Sequence, residues 1–255
     1  MKTATIAETN VRQAIGQAFL NEFPEDRVVC LLGYGSMVDG RSRESDVDTY
    51  LLLDEWHKHD VETARQAADT IGHPVDLTLH YANELPGKPE HFRLGKKSCL
   101  ALAFLASADT IHGTNVPAEM FEDLPHRALQ ISALHTVFYY LGQMRKEQST
   151  LTDEAYINRH MDKYLARSII DAMMFYRKTT YEPFKHLASN EVVEQAKDHP
   201  HIGPVFAGTS EIETNLGKLE FMHRLHGQLR LANWLIAKEL DQSAFSQVSL
   251  AMDEH

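Results

Sequence analysis

Asp46 and Asp48 stand two residues apart in the run Ser45-Asp46-Val47-Asp48-Thr49-Tyr50-Leu51-Leu52-Leu53. In an extended strand successive side chains point to opposite faces, so both carboxylates project side by side while Val47 turns to the core. Two adjacent acids repel unless a cation lies between them, and Mg²⁺ is a hard ion that takes carboxylate and phosphate oxygens together. Nine residues upstream, Leu31-Leu32-Gly33-Tyr34-Gly35-Ser36 ends an apolar strand in a Gly-Ser turn. Glycine lets the backbone approach closely, and the amides that follow can meet a phosphate. Either half alone is common on solvated strand ends and turns. Together, at a gap short enough to share one pocket, they point to a metal-bound nucleoside triphosphate.

The segment resembles the DNA polymerase beta-like nucleotidyltransferase superfamily, whose pattern is a Gly-Ser pair, a short helix and an Asp-x-Asp strand. The bacterial small-molecule branch, which includes the aminoglycoside nucleotidyltransferases, is the most similar. The resemblance implies a third carboxylate on a neighbouring strand, and Asp76 in His73-Pro74-Val75-Asp76-Leu77-Thr78-Leu79 meets that expectation. Ala108-Asp109-Thr110-Ile111-His112-Gly113 is similar to the strand and glycine that close the family's catalytic domain. Many relatives carry arginine before the glycine that matches Gly40, where this chain has Asp39; Arg41 and Arg43 follow, and Arg43 is the expected source of positive charge.

What the resemblance implies is metal-assisted nucleotidyl transfer. Asp46, Asp48 and Asp76 would hold one or two Mg²⁺ ions, Gly35 and Ser36 would cradle the leaving pyrophosphate, and Asp76 would complete the metal site or take the proton of the acceptor hydroxyl. ATP is the default donor. The implied architecture is an α/β catalytic domain with a mixed sheet over residues 1–118 and an all-α helical bundle over 119–255 that shapes the acceptor site. Two other readings stand beside it: a regulatory nucleotidyltransferase of the toxin–antitoxin type acting on a protein, and a non-catalytic nucleotide-binding protein.

Periodicity places the elements that position these residues. Val11 to Phe23 reads as an amphipathic helix stopped at Pro24, Arg27 to Gly33 as a strand, Trp56 to Ile71 as helical, and His91 to Ala106 as helix before a strand near Ile111. Tyr81 to Lys88 has the proline and glycine of a loop. Beyond Pro125 long helical patterns follow, at 128–144, 154–176, 190–197 and 217–240, with breaks at Tyr181-Glu182-Pro183 and His199 to Pro204. Arg159, Lys163 and Arg167 fall at four-residue steps and share one helix face, with Lys163 a candidate triphosphate contact. Phe138, Tyr139, Tyr140 and Met173 to Tyr176 read mostly as core.

A formal charge of -11 argues against a nucleic-acid partner, which normally leaves a basic footprint, and suits a small cationic acceptor better. Cys30 and Cys99 lie in apolar surroundings and read as reduced core residues. The 15 histidines show no zinc-site spacing and read as scattered surface residues. Residues 1–8 lack the apolar core of a signal peptide and no stretch is long and apolar enough to span a bilayer, so the expectation is a cytoplasmic enzyme without a membrane partner.

Overall fold

The computed structural model describes residues 9–35, 46–94 and 98–253, with side chains over 11–35, 46–94 and 98–240. The chain divides into two compact units, Met1–Pro125 with Thr179–His186, and His126–Lys178 with Leu187–His255.

The first unit is built on a four-stranded mixed sheet. Helix α1 (Thr9–Glu22) buries Val11, Ile15, Ala18 and Phe19, an apolar stripe at helical spacing, and ends where Pro24 cannot continue the hydrogen-bond ladder. Strands β1 (Val28–Tyr34) and β2 (Val47–Leu53) pair antiparallel, helix α2 (Asp60–Asp69) follows, and β3 (Val75–Tyr81) returns parallel to β2. After the short α3 (Ala101–Leu105), β4 (Asp109–Gly113) pairs antiparallel with the other side of β1, giving the order β3-β2-β1-β4. Helix α4 (Val116–Asp123) is capped by Asn115, whose side chain accepts from the Ala118 N–H at 3.0 Å.

One face of the sheet packs Leu31, Val47, Leu51 and Leu53 against α1 and α2 in a common apolar core. Arg27 ties the far end of this layer. Its guanidinium donates to Asp60 at 2.9 Å, to Asp54 at 3.2 Å and to the Glu55 carbonyl at 2.7 Å, joining the start of β1, the end of β2 and the start of α2.

Of the helix expected over 91–106, the described residues form an α-helix at Ala101–Leu105 alone. Phe92 and Leu94 are buried while Arg93 between them is exposed, a period of two that holds this stretch extended rather than helical. The break at Tyr181-Glu182-Pro183 has a destination that periodicity does not encode. Tyr181 donates its N–H to the Ala103 carbonyl and packs its ring 4.7 Å from Phe104, and Lys185 reaches Asp109 at 2.8 Å, which is why Thr179–His186 belongs to the first unit. That unit runs through Pro125, past the expected boundary at residue 118.

The second unit is all helical: α5 (His126–Thr150), α6 (Glu154–Tyr176), α7 (Ser189–Lys197), α8 (Gly203–Ala207) and α9 (Asn215–Asp253). Leu129, Ala133, Val137, Leu141 and Met144 bury one stripe of α5, and Phe221, Met222, Leu225 and Leu229 one stripe of α9. Asp153 caps α6 through the Tyr156 N–H. Met174 and Phe175 are fully buried as expected, whereas Phe138 and Tyr139 are exposed. Among the described residues no helix is long and apolar enough to cross a membrane.

Candidate active site

The alternation of β1, β2 and β3 lays three rows across the sheet face opposite α1 and α2. Tyr34, Asp48 and Asp76 form the row at the end where β1 gives way to Gly35; Leu32, Tyr50 and Thr78 form the next; Cys30, Leu52 and His80 the third. Asp48 and Asp76 are therefore direct partners on adjacent parallel strands. The β2–α2–β3 crossover brings together two acids 28 positions apart in sequence. Asp46 precedes β2 by one residue and keeps the parity of Asp48, and it is exposed.

Like charges directly opposite on a sheet repel, and a cation placed between them relieves that repulsion. Gly35 closes the site from the β1 side. Its φ is +86°, a left-handed conformation that favours glycine, and a Cβ built there would fall onto the Asp48 carboxylate. Backbone and carboxylate thus approach as a side chain would forbid. Among the described residues no three His, Cys, Asp or Glu side chains gather into a metal-holding cluster. Asp48 and Asp76 by themselves are a pair of oxygen donors of the kind Mg²⁺ takes.

Tyr34 and Thr78 belong to this site although the motif did not single them out. Burial pushes the Tyr34 phenol up to about 12; the Asp48 charge adds to this, a hydrogen bond with Thr78 opposes it and Asp76 adds the remainder. The phenol stays protonated at neutral pH, an O–H beside two carboxylates. The signal was present in the sequence: Tyr34 lies inside the quoted Gly33-Tyr34-Gly35 run, and Thr78 shares the parity of Asp76. Behind them, Tyr50 lies with its hydroxyl 3.4 Å from His80 Nδ1, and the His80 ring is 5.9 Å from Phe92. Burial lowers the His80 imidazole below its ordinary value, with Glu84 opposing, so it is neutral at pH 7.

At the other edge, Asp109 of β4 pairs with Gly33 of β1 and is bound by Arg12 and Lys185. These cations serve β4 and fix the returning segment. Ser36, Arg41 and Arg43 lie outside the described residues, as do Lys96 and Lys97. Lys163 belongs to the second unit, exposed on α6 with Arg159, while Arg167 is half-buried and hydrogen-bonded to Tyr140. Neither cysteine forms a disulfide; both are buried, and burial pushes the Cys30 thiol up to about 12, which leaves it inert. The chain matches no family model and none of the curated proteins.

Proposed function

We propose that the protein is a Mg²⁺-dependent nucleotidyltransferase that moves a nucleoside monophosphate, AMP from ATP, onto a hydroxyl of a small acceptor of cationic character. The observation that carries this reading is the register of Asp48 opposite Asp76 on parallel strands, with the Gly35 backbone pressed against Asp48.

Asp46, Asp48 and Asp76 would hold one or two Mg²⁺ ions, which supply positive charge to the phosphate oxygens as the α-phosphorus is attacked. Gly35 and Ser36 would supply backbone amides to the departing pyrophosphate. Arg43 is the cation assigned to the triphosphate. Asp76 accepts the acceptor's hydroxyl proton as the new oxygen–phosphorus bond forms and the bond to pyrophosphate breaks, so charge and atoms balance. The Tyr34 hydroxyl, held protonated and hydrogen-bonded with Thr78, adds no negative charge beside Asp48 and Asp76. An acidic surface draws a cationic acceptor and repels a nucleic-acid backbone.

Incubation with α-labelled ATP and Mg²⁺ against panels of aminoglycosides, proteins and RNA tests the reading. Label on a small acceptor is the expected result. Label on a protein alone would replace it with the regulatory alternative, and nucleotide binding without transfer to anything would leave the non-catalytic one.

A further inference from the structure

The second unit contains a cleft of about 610 Å³ between α6, α7 and the segment that leads into α9. Its floor is apolar, formed by Leu165, which is buried, and by Val193 and Ile212, which are half-buried. Its lining also carries charges, and most of them are paired. Lys218, only 8% exposed, places its ammonium 2.6 Å from Asp162, and Lys197 lies 2.6 Å from Glu194. Arg159 and Glu213 remain, one of each sign, with no ion-pair partner among the described residues.

The wall that carries Glu213 has a specified shape. Glu211 has a φ of +53°, the one left-handed non-glycine among the described residues, and its carbonyl accepts from the Thr214 N–H at 2.9 Å. A Cβ at Gly217 would strike that same carbonyl, so the loop and the start of α9 are packed backbone to backbone. Non-glycine residues keep such a conformation where the surroundings over-determine it, and such positions cluster at binding sites.

We propose that this cleft binds a small zwitterion with an apolar body, of amino-acid to dipeptide size, its carboxylate against Arg159 and its ammonium against Glu213. A guanidinium matches a carboxylate in geometry as well as charge. The volume is in the range of small-molecule sites, and the apolar floor takes the ligand's hydrocarbon between its two charged ends. Lys218 and Asp162 neutralise each other and leave the net balance of the site to the remaining pair. This site is separate from the transferase reading and stands or falls without it.

Calorimetric titration of the full chain with leucine and leucyl-leucine, without nucleotide or Mg²⁺, tests it. At least one of the two should bind, and about tenfold more tightly than its N-acetylated or C-amidated form, since each blocked end removes one charged hydrogen bond. Arg159→Gln should weaken the free ligand about tenfold and leave the amide unchanged, and Glu213→Gln should do the same with respect to the acetylated form. Both residues are exposed, so the variants should melt like the parent by circular dichroism. Absence of binding by either ligand overturns the proposal, as do equal affinities for free and blocked forms, or substitutions that leave their ratio unchanged.

Discussion

Asp48 and Asp76 sit opposite each other in the parallel pairing of β2 and β3, two carboxylates held in register by the α2 crossover between them. The acids lie at the open end of the sheet, next to a glycine where a side chain would be strained and would strike the Asp48 carboxylate. Asp48→Asn removes one of the opposed charges. In the absence of Mg²⁺ the variant should melt at or slightly above the parent temperature, because like-charge cross-strand pairs cost a few tenths of a kcal/mol. Nucleotidyl transfer should fall by about 10²-fold or more, as the loss of a group that stabilises developing charge does. Near-full activity in the variant would contradict the assignment.

Asp76→Asn separates its two roles. As the proton acceptor it should leave MgATP binding measurable while transfer slows; an equal loss of binding would make it a metal ligand alone. Titration and single-turnover transfer on the same preparation decide between them.

Gly35→Ala brings two costs together, a left-handed backbone and a Cβ on the Asp48 carboxylate. Urea denaturation should show a loss of about 1–3 kcal/mol, the cost of holding a non-glycine residue in a sparsely populated conformation. Nucleotide binding should be lost with it. A variant as stable and as active as the parent would show that the turn does not hold Asp48 as described.

Arg27 and Asp60 form a largely buried ion pair in the first unit, with side chains 15% and 5% exposed. Arg27→Ala should cost about 3–5 kcal/mol in chemical denaturation, because it strands a buried carboxylate. Burial acts to raise the Asp60 carboxyl, but hydrogen bonds from Arg27 and from the His57 N–H outweigh it and leave it below its ordinary value. Its contribution to stability is therefore fully present above the unfolded value of about 3.9 and is lost as pH falls through the folded one. Asp60→Asn should lack that acid limb.

His80 titrates in a higher window. Its folded value lies below the unfolded value of about 6.5, so the unfolded chain takes up its proton first and stability declines as pH drops from about 6.5 through the folded value. Denaturation at pH 7.5, 6.5 and 5.5 should show this decline in the parent and a shallower one in His80→Gln.

The strands that carry the acids were legible because each is an apolar run with a period of two and a turn at its end. Helix α6 was legible to the residue, since Asp153 caps its start. The row Tyr34–Asp48–Asp76 was not, because cross-strand register depends on how α2 packs between β2 and β3, a tertiary property that one strand's alternation does not contain. The place of Tyr34 is hidden for that reason: it is set by two neighbours that lie farther along the chain. The extended stretch 92–94 is hidden in the sequence because the alternation of Phe92, Arg93 and Leu94 is too short to stand out from the helical pattern beside it. The return of Thr179–His186 to the first unit rests on Tyr181 and Lys185 finding Ala103 and Asp109, contacts between residues more than 70 positions apart.

Calorimetric titration of the parent and Asp48→Asn with ATP, in Mg²⁺ and in EDTA, tests the central claim most directly. Binding by the parent in Mg²⁺, lost in EDTA and lost in Asp48→Asn, is the predicted result. No binding by the parent in Mg²⁺, or binding that neither EDTA nor the substitution affects, would contradict it.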